Sequence, residues 1–219
     1  LFGGASSDLL SAAGMNSGNI WIQGDAVGGT STLGDTLVAG TGTSRATLVG
    51  NISSTADNYF RISAASLLGN NSIVGGSASE DYLQITGSNQ TLTDSSFTQV
   101  SGLNGLILTG SSNTITLGVT AEGKFDVGVT TISLTGGVSG GDTIDLSGTG
   151  GNGTTKKVWL DASAGTAGDT ITAGTYDNTL IGGNAATAND LFIFTSESNL
   201  NGASVVGGGG TDTLRLSAN

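Results

Sequence analysis

The chain of 219 residues contains no cysteine, no histidine and no proline. Without cysteine and histidine, it cannot form the zinc sites or the catalytic triads that are built from these side chains. It also cannot rely on disulfides for stability, whichever compartment it occupies. No run approaches the roughly 18 consecutive apolar residues of a membrane-spanning helix, so we expect no membrane insertion.

Positive charge is scarce, with 6 Lys and Arg residues against 17 Asp and Glu residues and a formal net charge of -11. Proteins that bind nucleic acid neutralise phosphates with clustered lysines and arginines, so this balance predicts no nucleic-acid partner. An acidic chain does suit divalent cations, which take hard oxygen ligands. The few cations are scattered at Arg45, Arg61, Lys124, Lys156, Lys157 and Arg215.

One short unit recurs along the chain. It begins with Asp or Asn and continues with apolar residues on alternate positions, which is the pattern of a half-buried strand. The unit occurs as DLLSA from Asp8, DTLVAG from Asp35, NYFRIS from Asn58, DYLQITG from Asp81, NGLILTG from Asn104, DTIDLSG from Asp142, DTITAG from Asp169, DLFIFT from Asp190 and DTLRLS from Asp212.

The spacing of these units predicts an all-β, parallel β-solenoid. The first five begin 27, 23, 23 and 23 residues apart, and the last four begin 27, 21 and 22 residues apart. A repeat of 21–27 residues corresponds to one coil, and stacked coils bury an apolar stripe that one coil could not bury alone. The interval of 38 residues from Asn104 to Asp142 indicates a break in phase near residues 110–140. We expect residues 1–219 to form a single solenoid region, taken from a longer chain.

A β-sandwich is the alternative architecture, because it also joins many short strands by turns. The return of the same residue types at matching places favours the solenoid. We expect short helical insertions at most, in the segments Leu92–Leu103, Ile62–Asn70 and Ser196–Gly202.

The C-terminal run GGGGTDTL, Gly207–Leu214, fits the G-G-x-G-x-D-x-U pattern of calcium-binding β-rolls. Glycines allow a tight loop to aim carbonyl groups inward, and the aspartate supplies a carboxylate. Because calcium takes 6–8 oxygen ligands, a neighbouring coil must complete its shell. The predicted ligands are Gly207, Gly209, Asp212, Asp190, Asp169 and Asp142. Aspartate also closes turns without any metal, and that alternative stays open.

The sequence resembles the repeat-in-toxin (RTX) class of secreted bacterial proteins, especially large surface-layer and adhesin-type members. The likeness lies in LTDSSFTQVSGLNGLILTGSSNTITLG, Leu92–Gly118, in GGDTIDLSG, Gly140–Gly148, and in the glycine-rich C-terminal turn. This resemblance implies secretion by a type I route without an N-terminal signal, and folding driven by calcium outside the cell.

These patterns favour a structural, extracellular protein that assembles with copies of itself into a surface layer, filament or sheath, and that is not an enzyme. One alternative is an adhesin or carbohydrate-binding module for cell-surface polysaccharide, with Trp21 and Trp159 as its platform. Another is a polysaccharide lyase or epimerase, since Lys156, Lys157 and Asp161 flank Val158–Leu160. A solvated turn explains that last cluster as well, so we assign no catalytic residue.

Overall fold

The computed structural model describes residues 1–4, 6–24, 33–40, 45–50, 57–69, 71–76, 80–125, 129–135, 141–150 and 157–217, with only the backbone described for 129–135. Over these residues the chain is an all-β, parallel β-solenoid with short helical insertions, which confirms the predicted fold class. The chain divides into two compact units. Unit 1 comprises Leu1–Thr86, Ser96–Leu106 and Lys124–Asp126, and unit 2 comprises Gly87–Ser95, Ile107–Gly123 and Val127–Asn219.

The regular elements of the described residues are short. The strands are β1 (Leu9–Ser11), β2 (Asn19–Gln23), β3 (Thr36–Val38), β4 (Arg45–Val49), β5 (Tyr59–Ile62), β6 (Ser72–Val74), β7 (Tyr82–Thr86), β8 (Thr91–Leu92), β9 (Val100–Ser101), β10 (Gly105–Thr109), β11 (Thr114–Gly118), β12 (Val129–Thr135), β13 (Thr143–Gly148), β14 (Lys157–Asp161), β15 (Thr170–Thr172), β16 (Thr179–Ile181), β17 (Leu191–Phe194), β18 (Ser204–Val206) and β19 (Thr213–Leu216). The helices are α1 (Ala64–Leu68), α2 (Val119–Glu122) and α3 (Glu197–Leu200), with a 3₁₀ turn at Asp94–Phe97.

Unit 1 stacks equivalent strands of successive coils in two parallel series. One series is β1, β3, β5 and β7, and the other is β2, β4, β6 and β9. The register places Leu37 beside Phe60 and Phe60 beside Leu83. All three side chains are fully buried. The alternating apolar residues therefore form a continuous inner column, as the solenoid prediction requires.

Unit 2 also stacks equivalent strands of successive coils in two parallel series. One series is β8, β11, β13, β15, β17 and β19, and the other contains β12, β14, β16 and β18. Ile144, Ile171 and Phe192 follow one another in register and are buried. The next residue in this column is Leu214 of β19, which is half exposed. The apolar core of unit 2 therefore becomes open to solvent at its last coil.

The sheet topology explains the interval of 38 residues in the sequence repeat. Asp81 and Asn104 precede β7 and β10, whereas Asp142 precedes β13, which belongs to a different sheet. Both sheets begin their strands with Asp or Asn followed by alternating apolar residues. The interval from Asn104 to Asp142 therefore does not measure one coil.

The helical segments lie within the predicted ranges, with one addition. α1 begins after Ser63, whose Oγ accepts the Ser66 N–H at 3.2 Å. α3 begins after Ser196, whose Oγ accepts the Asn199 N–H at 3.3 Å. The 3₁₀ turn begins at Asp94, inside the predicted segment Leu92–Leu103. The caps Ser63 and Ser196 lie directly before their helices, so the signal for these two insertions is local.

Helix α2 was not predicted, because its cap comes from the preceding coil. Asp94 Oδ1 accepts the N–H groups of Gly118 at 2.9 Å and Ala121 at 2.7 Å, and its Oδ2 accepts the Thr120 N–H at 3.1 Å. Burial alone would raise the pKa of Asp94, but the hydrogen bonds from Ala121, Thr120 and Gly118 hold this pKa below its usual value.

Candidate functional site

The aspartates and asparagines of the repeat form a hydrogen-bonded ladder in unit 1. Each side chain accepts, through Oδ1, the backbone N–H of the equivalent residue one coil earlier. The bonds run from Asp8 N–H to Asp35 at 2.8 Å, from Asp35 N–H to Asn58 at 3.0 Å, from Asn58 N–H to Asp81 at 3.0 Å and from Asp81 N–H to Asn104 at 2.9 Å. Because the middle three residues are buried, these bonds satisfy N–H groups that water cannot reach.

Unit 2 contains a second ladder of the same kind. The bonds run from Gln90 N–H to Asn113 at 2.9 Å, from Asn113 N–H to Asp142 at 2.6 Å, from Asp142 N–H to Asp169 at 2.6 Å, from Asp169 N–H to Asp190 at 2.6 Å and from Asp190 N–H to Asp212 at 2.9 Å. Four of the six predicted calcium ligands are thus ladder residues. We call Asp142, Asp169, Asp190 and Asp212 the acid column.

The second carboxylate oxygen of a ladder aspartate closes the double-glycine turn in front of it. Asp8 Oδ2 accepts the Gly4 N–H at 2.6 Å. Asp190 Oδ2 accepts the Gly183 N–H at 2.9 Å. In the turn before Asp81 the donor is the Gly76 N–H. The combination of two glycines and an acid, which suggested an ion turn, therefore also has a role in fixing the turn through hydrogen bonds.

The acid column concentrates negative charge in a poorly hydrated place. Asp142, Asp169 and Asp190 are at most 5% exposed. Burial raises the pKa of all three, and raises that of Asp169 to about 7 with a contribution from the neighbouring charges of Asp142 and Asp190, against the hydrogen bond from the Asp142 N–H. No lysine or arginine in the described residues pairs with them. Burial therefore favours the protonated form of these three carboxyl groups.

The predicted calcium ligands come together only in part. At the C-terminal turn, a Cβ added at Gly182 would overlap both Asp190 Oδ2 and the Gly207 carbonyl oxygen, so these two oxygens approach the same point. Gly207 also lies against the Asp212 carboxylate, whereas Gly209 lies against the carbonyl groups of Asn184 and Ala185.

Calcium takes 6–8 oxygens. Within the described ranges, no three acidic side chains gather around one point. Only the oxygens of Asp190 and Gly207 approach one point among the described residues, which is fewer than a calcium shell needs, and calcium binding stays a prediction.

The described residues considered for lyase or epimerase chemistry, Lys157 and Asp161, each have another partner. Lys156 lies outside the described residues. Lys157 Nζ pairs with Asp177 Oδ2 at 3.0 Å, and both side chains are about half exposed. Asp161 Oδ1 accepts the Ser163 N–H at 2.9 Å, as expected for a residue that closes a turn.

Three glycines that precede ladder residues have a structural role that the sequence analysis missed. A Cβ at Gly34 would overlap the Asp57 carbonyl oxygen, one at Gly141 would overlap that of Gly168, and one at Gly168 would overlap that of Asn189. In each case the obstructing atom belongs to the residue before the next ladder residue. The recurring Gly-Asp pair, at 34–35, 141–142 and 168–169, is the sequence signal of this close backbone approach.

Comparison of the chain with protein-family models, with curated proteins and with solved structures finds no match. Within the described part of the chain, no helix is both long enough and apolar enough to cross a bilayer.

Proposed function

We propose that this chain is a structural element of a secreted bacterial surface protein, and that it assembles with copies of itself by stacking coil on coil into a layer, filament or sheath. The observation that supports this proposal is the open last coil of unit 2. Leu214 and Leu216 are 50% and 39% exposed, although the residues beside them in register, Phe192 and Phe194, are buried. A further coil would bury both leucines.

The two ladders have complementary ends. At the last coil of unit 2, the Asp212 N–H has no ladder acceptor among the described residues. At the first coil of unit 1, the one donor to Asp8 Oδ1 among the described residues is the Ser6 hydroxyl, at 3.4 Å. We propose that a second copy packs against β19 and covers Leu214 and Leu216. Open strand edges favour this kind of pairing.

The experiment compares three proteins by sedimentation velocity and negative-stain electron microscopy. We expect ordered assemblies of the unmodified chain, and their loss when Leu214→Lys and Leu216→Lys are combined, because charges cannot be buried between stacked coils. Val206→Lys is the matched control. Val206 is 51% exposed on the same coil but pairs with the partly exposed Ile181, on the outer face.

Assemblies that are insensitive to the leucine substitutions would contradict coil-on-coil growth. Monomers under all conditions would contradict self-assembly of this chain and would favour a role as a binding module. The extracellular location and the type I route rest on the RTX resemblance of Leu92–Gly118 and Gly140–Gly148.

Calcium is part of the same proposal, with Asp190, Asp212 and the Gly207 carbonyl as the ligands that the fold brings closest. When bound, the cation would neutralise carboxylates that otherwise repel one another. We expect calcium at about 100 times its Kd to stabilise the chain by about 2.7 kcal/mol, or roughly 5–10 °C in Tm. Thermal unfolding in calcium, in magnesium and in chelator measures this shift.

The variant Asp190→Asn tests calcium binding separately from the ladder hydrogen bond. An amide serves as ladder acceptor at Asn58, Asn104 and Asn113, so the substitution keeps the Oδ1 hydrogen bond while removing the charge and the Oδ2 acceptor of the Gly183 N–H. We expect this variant to fold and to lose its calcium response, whereas Asp161→Asn, which lies outside the column, keeps it. Equal Tm values of the unmodified chain in calcium and in chelator would refute calcium binding.

A further inference from the structure

A shallow pocket lies on the outer face of strands β2 and β4 in unit 1. It has a volume of about 370 Å³ and is lined by Asn19, Ile20, Trp21, Arg45, Ala46 and Thr47. The strands are parallel, with Asn19 beside Arg45 and Trp21 beside Thr47. Ile20 and Ala46 are buried toward the core. The side chains available to a ligand are therefore an indole, a guanidinium, an amide and a hydroxyl group.

Trp21 presents a large apolar surface to solvent. Its side chain is 52% exposed, and its Nε1–H donates to Gln23 Oε1 at 3.4 Å. Gln23 is itself buried, so this bond ties the edge of the indole to the fold and leaves a face of the ring free. Such a face packs against the apolar C–H surface of a sugar ring.

Arg45 is exposed and forms no ion pair with any described residue. In a chain of net charge -11, an arginine without a neighbouring carboxylate is a place where a single anion can bind. Guanidinium groups bind carboxylates through two parallel hydrogen bonds.

Trp159 provides an internal comparison, since it is 46% exposed and also lies near a cation. That cation is Lys157, two residues earlier on β14, and its ammonium is already paired with Asp177 at 3.0 Å. Among the described residues, the cation beside Trp21 is therefore unpaired, whereas the cation beside Trp159 is paired.

We propose that Trp21, Arg45 and Asn19 form a binding site for a carboxylated sugar, the uronate unit of an acidic polysaccharide. The sugar ring stacks on the indole of Trp21, its carboxylate pairs with Arg45, and Asn19 and Thr47 bond to ring hydroxyls. Across neighbouring strands, residues offset by two positions lie roughly 8 Å apart, which one pyranose ring and its carboxylate can bridge.

The charge of the site favours a uronate over other anions. A nucleotide would bring several negative charges to a single cation on an acidic chain. A carboxylate of an acidic peptide lacks the flat apolar ring face that the indole accommodates. Every residue of the pocket belongs to unit 1, whereas the exposed leucines of β19 belong to unit 2.

The test uses the full chain with Trp159→Phe, so that Trp21 is the only fluorophore of its kind. Oligogalacturonate is titrated at about 0.15 M salt and without calcium, and a neutral maltooligosaccharide of the same length serves as the comparison. We expect a saturable change in Trp21 emission with the acidic ligand, and binding of the neutral one that is weaker by at least roughly tenfold.

Two further variants assign the roles of the side chains. Arg45→Gln should weaken oligogalacturonate binding by roughly tenfold or more, because it removes the charged hydrogen bonds. Trp21→Ala, followed by calorimetry, should abolish it. Lys157→Gln is the matched control and should leave binding unchanged. Equal affinity for the acidic and the neutral oligosaccharide, full binding by Arg45→Gln, or no emission change with either ligand would overturn the proposal.

Discussion

Replacing Gly141 with alanine should lower the melting temperature by roughly 6–12 °C, from a destabilisation of about 3 kcal/mol. The added methyl group would overlap the carbonyl oxygen of Gly168, which belongs to the backbone of the next coil. Backbone in a stacked coil cannot rotate away as a side chain can, so the coils must separate at this level. Separation would also lengthen the neighbouring ladder bond from the Asp142 N–H to Asp169 Oδ1, now 2.6 Å.

Gly14→Ala is the matched control for this experiment. An added Cβ at Gly14 meets no atom within 4 Å, and the residue is exposed in a turn of unit 1. We expect a change in Tm close to zero or a small gain, since alanine restricts the unfolded chain more than glycine does. If thermal unfolding shows the same small change for both variants, the coils do not approach each other at Gly141 as closely as the structure indicates.

Lowering the pH from 8 to 5 in the presence of chelator should raise the Tm by roughly 5 °C. The main cause is Asp169, whose pKa rises from 3.8 to about 7 on folding because of burial and of the charges of Asp142 and Asp190. Between these two values the folded chain binds more protons than the unfolded chain. The free energy of unfolding therefore falls as the pH rises.

The stabilisation is complete below the unfolded pKa of 3.8 and is lost as the pH rises through about 7. The raised pKa values of Asp142, Asp190 and Asp81 act in the same direction. Asp94, with its lowered pKa, acts in the opposite direction, but only when the pH falls toward the usual range of a carboxyl group. A comparison between pH 8 and pH 5 avoids most of that range.

Asp169→Asn tests the origin of this pH dependence. The amide can accept the Asp142 N–H as the aspartate does, but it carries no charge at any pH in the window. We expect the variant to be more stable than the unmodified chain at pH 8 in chelator, with a flatter dependence on pH. An unchanged slope between pH 5 and pH 8 would mean that the column is not the source of the proton uptake.

The sequence was sufficient to predict the solenoid because the determining signals are short and repeated. In DLFIFT, from Asp190, the alternation correctly places Phe192 and Phe194 inside. The return of equivalent residues after one coil predicts parallel stacking, and Phe192 does pair with Leu214. The alternation is visible within a few residues, and the equivalent residues recur at a nearly constant interval.

Features that depend on contacts between coils were not predictable in this way. Strands of two different sheets begin with the same Asp or Asn signal. The residues near Asn104 and Asp142 therefore do not show that the strands following them, β10 and β13, belong to different sheets. Helix α2 is capped by Asp94, a residue of the preceding coil, and its own segment offers no side-chain cap. Such partners become visible only when the coils are stacked.

At the candidate site, four of the residues predicted as calcium ligands are aspartates of the ladder, and the sequence did not predict their backbone N–H partners. A carboxylate oxygen serves equally well as a ligand for calcium and as an acceptor for a backbone N–H. Asp190 illustrates the ambiguity: its Oδ1 accepts an N–H from the coil before, its Oδ2 accepts the Gly183 N–H, and the Gly207 carbonyl approaches the same space. The same residue types at the same spacing suit a calcium ligand and a hydrogen-bond acceptor, so the sequence alone does not distinguish these two roles.

The ladders also tolerate coils of very different length. Successive ladder residues are between 21 and 29 positions apart, yet the hydrogen bonds between them stay within 2.6–3.0 Å. Surplus residues are accommodated elsewhere in the coil, so the length of a turn can drift while the register of the strands is held. We therefore expect the chain to tolerate peptides inserted into its turns, as long as each ladder Asp or Asn still accepts the N–H of the ladder residue one coil earlier.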